Sequence, residues 1–196
     1  MGKRHLQRSL QDWQGEPVTV EYKPFFLDPT IPPEGMDFRE KMTLKGGGRI
    51  PLERFFDGPR QMGEQIGLTF NFEDITKAPN TMLSHALLAL TPDGRADSVI
   101  DDVYAAYFEH GQDIGDIEVL LQIAERHGLD GDRLKVQMQE AETQSKVQKE
   151  VEEAYRLGVS GVPFFVIDQK YAFSGAQPPD VITQILQKIE KEKEQP

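Results

Sequence analysis

Strand-type patterning occurs at only two places in this chain, and a long stretch of helical patterning separates them, so a sheet that uses both must join segments distant in sequence. The first reads Val-Thr-Val-Glu-Tyr-Lys-Pro-Phe-Phe-Leu over residues 18–27. Its β-branched and aromatic content predicts a strand at about 17–23, with Pro24 marking the strand's end or an edge. The second is an apolar run at 162–167, a turn signal at Asp168 and Gln169, and a return at 170–174. Together these predict a hairpin.

Pro29, Pro32, Pro33, Gly35 and the glycines at 46–48 break structure between the first strand and the helical region, leaving room for a short helix at 38–44. Helical periodicity then dominates: the spacing predicts helices over 51–66, 80–90, 96–110, 116–127 and 131–157, the last broken near Ala141. Ile100, Tyr104, Tyr107 and Phe108 form one apolar face, and Leu120, Ile123 and Ala124 form another behind the capping residue Asp116. At the chain's start Leu6, Leu10 and Trp13 make a helix that Gly15 and Pro17 stop. At its end Pro178 and Pro179 open a helix with the stripe Val181, Ile182, Ile185, Leu186 and Ile189, followed by a solvated Lys/Glu tail. No internal repeat or low-complexity segment interrupts this order.

At 196 residues the chain suits one folded unit carrying an insertion. Its net charge of -11, from 22 Lys plus Arg against 33 Asp plus Glu, opposes phosphate backbones and anionic lipid, which argues against nucleic-acid and membrane partners. No run approaches the ~18 apolar residues of a membrane helix, and the start carries no apolar leader core, so a cytoplasmic location is the expectation. The sequence contains no cysteine, which excludes disulfides, thiolate metal ligands and cysteine nucleophiles within it.

Five strings carry a family resemblance: Gly2-Lys3-Arg4; Pro33-Glu34-Gly35-Met36-Asp37; Ala78-Pro79-Asn80-Thr81; Gly158-Val159-Ser160-Gly161-Val162-Pro163-Phe164-Phe165; and Ser174-Gly175-Ala176-Gln177-Pro178. In this order and at this spacing they resemble FrnE-like members of the DsbA family over nearly the whole chain. The resemblance implies an α/β, thioredoxin-like fold with a large helical insertion and with the first β-strand missing from the chain. The thioredoxin-like domain would comprise residues 1–30 and 158–196, and the helical insertion domain residues 31–157.

In that family a Cys-Pro-Trp-Cys type motif stands shortly before the Gly-Lys-Arg seen here at 2–4, so the redox pair would precede Met1. A helix N-terminus there lowers the first cysteine's pKa and makes it a good nucleophile and leaving group. Either the start is placed too far downstream, or this is a member that has lost its motif. The missing strand would lie centrally in the sheet, and its absence removes on the order of 10 kcal/mol of apolar burial. The strand at 17–23 is therefore expected to pair directly with 162–167, or another chain supplies a strand; a homodimer would be one form of the latter.

The resemblance further implies that Gly161, Val162 and Pro163 form a cis-proline loop that docks an extended substrate by strand addition. An ordinary trans proline at a strand start is the plain alternative. Asn80, Ser174 and Gln177 resemble positions around glutathione in kappa-class transferases and chromene-carboxylate isomerases; capping of the adjacent helices explains them equally well. Phe25, Phe26, Phe164 and Phe165 line a groove for unfolded substrate or, more simply, belong to a sheet core. The four histidines lack metal spacing, and the acidic pairs Asp101 with Asp102, Asp113 with Asp116, and Glu152 with Glu153 read as caps and solvated charge.

The implied activity is thiol-disulfide exchange on protein substrates, with no cofactor in this chain and with the chain itself redox-inactive. Glutathione-dependent isomerisation or transfer, and redox-dead peptide binding, are the alternatives. An upstream Cys-x-x-Cys, an upstream serine or an upstream stop codon would separate the three.

Overall fold

The computed structural model describes residues 1–47 and 51–194, with the side chain of residue 194 left out. Gly48, the last residue of the expected glycine break, lies outside the described residues. In chain order the elements are α1 (Gly2–Gln11), β1 (Met36–Asp37), α2 (Phe38–Lys45), α3 (Leu52–Glu64), β2 (Lys77–Ala78), α4 (Met82–Leu90) and α5 (Asp93–Phe108). There follow α6 (Ile117–Arg126), α7 (Gly131–Gln137), α8 (Ala141–Arg156), β3 (Phe164–Ile167), β4 (Tyr171–Ser174) and α9 (Pro179–Glu194). The chain divides into two compact units, one of residues 1–21 with 155–196 and one of residues 22–154.

In the 22–154 unit the helix starts are written in local chemistry. Asp37, Asp116 and Asp130 each accept a backbone N–H from the first turn of α2, α6 and α7 respectively, at 2.7, 2.9 and 3.0 Å. Leu87, Val99, Leu120, Ile123, Ala124 and Met138 fill one core and are all but inaccessible to solvent. A second, aromatic core joins Phe38, Phe56, Phe72, Ile75 and Ala78, with Phe56 stacked on Phe72 at 4.4 Å. Tyr104 departs from its expected apolar face and stands 51% exposed, its ring tilted against that of Phe108 with centroids 6.3 Å apart. The two-residue ladder β1–β2, pairing Met36 with Ala78 and Asp37 with Lys77, carried no period-two signal because two residues are too few to show one.

The other unit packs α1 on α9, where Ile182, Leu186 and Ile189 are buried and Ser9 meets Thr183 Oγ1 at 3.2 Å. The expected hairpin is present: β3 and β4 pair antiparallel, Phe164 opposite Ser174 and Ile167 opposite Tyr171. Its turn uses Asp168 and Gln169 at φ 52° and 56°, and Lys170 donates to the Ile167 carbonyl at 3.1 Å.

The strand expected at 17–23 requires correction. Among the described residues the segment pairs with no other strand, neither expected arrangement is present in the single chain, and the sheet of this unit has two strands only. β-branched residues favour a pleated, half-buried surface, not a strand in isolation; without a ladder neighbour Val18 and Val20 remain 42% and 38% exposed.

Candidate functional site

The N-terminus of α1 and the turn leading into β3 meet at van der Waals contact. Gly2 is buried there, and a Cβ placed on it would come within 2.5 and 2.7 Å of the Cγ and Cβ of Pro163. Only a glycine allows the proline ring so close to the helix end. The Val162–Pro163 peptide bond is cis. The Pro163 carbonyl accepts the Gly175 N–H at 2.9 Å, which ties this turn to the end of β4. Val162 itself is 52% exposed, and among the described residues its peptide groups join no backbone ladder. Gly161, just before it, is partly exposed and has open space where a side chain would be.

His5 received no role from the sequence, yet it braces this site. Its Nδ1 lies 2.8 Å from the Gln177 carbonyl and 3.2 Å from that of Ala176, so a ring N–H donated there fastens α1 to the loop between β4 and α9. The signal was long-range: nothing near His5 in sequence announces carbonyls more than 170 residues away.

The residues singled out for a glutathione-like ligand make local bonds. Gln177 Nε2 donates to the Ser174 carbonyl at 2.9 Å, and Gly175, at φ +82°, lies inside that turn. Asn80 belongs to the 22–154 unit. Its Nδ2 donates to the Ile31 carbonyl at 2.8 Å while its Oδ1 accepts the Met82 N–H at 3.0 Å, which opens α4 and anchors the preceding loop.

Phe25, Phe26, Phe164 and Phe165 are all at least partly buried; Phe165 stacks on Phe173 at 4.6 Å, whereas Phe25 and Phe26 lie in the 22–154 unit and in no strand, which corrects the expectation of one shared sheet core. Phe26 lies 5.6 Å from the ring of His85. Burial pushes His85 down to about 4, against a hydrogen bond to the Phe25 backbone that acts in the opposite direction. Asp102 holds Arg126 and His127, and Asp113 pairs with Lys77 at 2.7 Å while accepting the Gly115 N–H. Among the described residues no cluster of three or more His, Asp or Glu could hold a metal ion, and no helix is long and apolar enough to cross a membrane.

The arrangement therefore leaves the Val162 backbone exposed beside the N-terminus of α1, with no cysteine among the described residues. The family model of the DSBA-like thioredoxin domain matches residues 1–187. The chain belongs to this family. Consistent with that, the fold is thioredoxin-like, mostly helical with small sheets. A crystal structure of a probable DsbA oxidoreductase, SCO1869 from Streptomyces coelicolor, superposes with a TM-score of 0.84 at 30% identity, over 95% of this chain and 82% of that one. The uncharacterized protein YwbO of Bacillus subtilis (strain 168) is 25% identical over 195 residues, 98% of this chain and 92% of its own length. A 2-hydroxychromene-2-carboxylate isomerase, at 13% identity with a TM-score of 0.70 over 98% of this chain and 90% of that one, shares the fold.

Proposed function

We propose that this DSBA-like chain is the substrate-docking body of a protein thiol-disulfide oxidoreductase of the DsbA/FrnE type. Its exchange step would use a Cys-x-x-Cys pair ahead of Gly2, which these 196 residues do not contain. In that reaction one thiolate attacks a disulfide sulfur, a mixed disulfide forms, and the second cysteine displaces it, so two electrons and two protons pass between protein and substrate. The observation that carries the reading is the exposed Val162 beside Pro163, held against the N-terminus of α1 through Gly2. A substrate strand laid along Val162 would be presented to whatever stands at that helix end.

No observation favours the glutathione-dependent alternative. The side-chain amides of Asn80 and Gln177 both make bonds to neighbouring backbone, which explains these two residues by local structure.

The test is the mass and thiol content of the native protein isolated from its own cells with an antibody against α9. A species heavier than 22.2 kDa by a few kilodaltons, with two titratable thiols and insulin-reducing activity, is expected. A thiol-free species of 22.2 kDa would overturn the oxidoreductase reading.

A further inference from the structure

Within the 22–154 unit a serine, a histidine and an aspartate stand in one hydrogen-bonded chain that docking at Val162 does not use. Ser98 and Asp102 lie four residues apart on α5, so they share a face of that helix, which is held in place by its buried Val99, Ile100, Val103 and Ala106. His127 follows the last residue of α6, where Gly128 at φ +67° turns the chain away. Its Nε2 lies 3.1 Å from Asp102 Oδ2, and its Nδ1 lies 3.3 Å from Ser98 Oγ. An ionised carboxylate only accepts, so the hydrogen of the neutral ring belongs on Nε2, and Nδ1 turns a bare lone pair to the serine hydroxyl. Arg126 donates to the same Asp102 oxygen from Nε at 3.4 Å and from Nη2 at 3.3 Å, which fixes the carboxylate. The Ser98 hydroxyl carries one hydrogen and has two acceptors in reach, His127 Nδ1 and the Arg95 carbonyl at 3.0 Å. Arg95 completes the group: its Nη1 donates to the His127 and Gly128 carbonyls at 2.9 and 3.1 Å, and among the described residues its Nε and Nη2 make no further bond.

We infer that Ser98 is an acyl-accepting nucleophile for small activated carboxylic esters, with His127 as its general base and Asp102 as the residue that positions His127. Ser98 and Arg95 are exposed, whereas the His127 side chain is only 19% exposed, so the attacking oxygen is open to solvent and its base is sheltered. In this open setting a substrate is held by its reacting carbonyl and by Arg95, which suits short acyl groups on good leaving groups. Ser98 Oγ bonds to the ester carbonyl carbon as its proton passes to His127 Nδ1. The bond from that carbon to the alcohol oxygen then breaks, and the departing oxygen takes the proton from Nδ1. Water repeats the step on the acyl-serine, so one ester and one water give one acid and one alcohol. Asp102 stabilises the imidazolium formed between the two transfers, and the N–H groups on Nε and Nη2 of Arg95 are donors for the carbonyl oxygen as it gains charge. The site needs no cysteine and no residue of the proline turn, so it stands or falls apart from thiol-disulfide exchange.

The probes are an alkyl fluorophosphonate for labelling and para-nitrophenyl acetate for kinetics, both applied to the 196-residue protein. Expected are a single label, located at Ser98 by peptide mass, and nitrophenolate release that saturates with ester concentration. Ser98→Ala changes an exposed position, so it should remove both signals while the circular dichroism stays unaltered. His127→Gln should slow acylation by about 100-fold, the usual contribution of a general base. Asp102→Asn separates positioning from mere structure. Arg126 holds the amide oxygen there, the amide N–H turns to Nε2, and the ring hydrogen is forced onto Nδ1. Nitrogen NMR of the imidazole should therefore show the Nε2–H tautomer in the parent protein and the Nδ1–H tautomer in the variant, together with loss of labelling. An unlabelled parent protein, a label on a tyrosine or lysine, or ester turnover that persists in Ser98→Ala would overturn the inference and leave these side chains as a surface network that ties α5 to the end of α6.

Discussion

The two units of this chain treat apolar residues differently. In residues 22–154 the helical stripes end in closed cores, with Leu87, Leu120 and Met138 at zero exposure. In the other unit α9 buries its stripe, but neither strand of the hairpin contains a fully buried residue. Helical stripes need only a neighbouring helix, which local sequence supplies; a strand needs a ladder on each side, and here one side of β3 is open. The lesson is that β-branched residues at 17–21 do not produce a strand by intrinsic preference alone.

The largest expected effect separates the units directly. Leu120→Ala should cost about 3–5 kcal/mol in urea unfolding, whereas Val166→Ala should change stability by no more than ~0.5 kcal/mol. A core-sized cost at Val166 would mean its edge is covered and would break the comparison.

Next comes acid. His85 is held neutral in the folded state at about 4, below the ordinary 6.5 of an unfolded histidine. Its contribution is therefore fully present above pH 6.5 and is lost as pH falls toward 4. Unfolding at pH 4.5 should reveal a loss of about 2 kcal/mol relative to pH 7 that is absent in His85→Leu. An unchanged pH profile in that variant would remove His85 as the cause.

Gly2→Ala should cost about 1–2 kcal/mol by forcing the Pro163 ring away, and should weaken any peptide bound along Val162. Unaltered melting and binding would show that the turn yields freely. The smallest effect is a gain: Gln169→Gly relieves a left-handed residue in the hairpin turn and should add about 0.5 kcal/mol, read as a small rise in Tm.

Much of this architecture was legible in the residues. The start of α6 followed from Asp116, the hairpin from its period change and Asp168-Gln169 turn, and the family from five spaced strings. The β1–β2 bridge was hidden by its length, and the lack of a strand neighbour for 17–23 because pairing depends on a partner that sequence patterning cannot display. At the site, Val162 and Pro163 were visible as a string, as was Gly2, whereas the packing of Gly2 on Pro163 and the bracing by His5 were not. Their roles rest on contacts with Pro163, Ala176 and Gln177, far along the chain, and distances of that kind have no local signature.

The most direct test of the open strand position is residue-resolved amide hydrogen exchange on the free protein along β3. The account predicts alternation: Phe165 and Ile167, bonded to β4, protected, and Phe164 and Val166, directed away from β4, exchanging at nearly the rate of an unstructured chain. Equal protection at all four amides would contradict it, because the second edge of β3 would then already be paired.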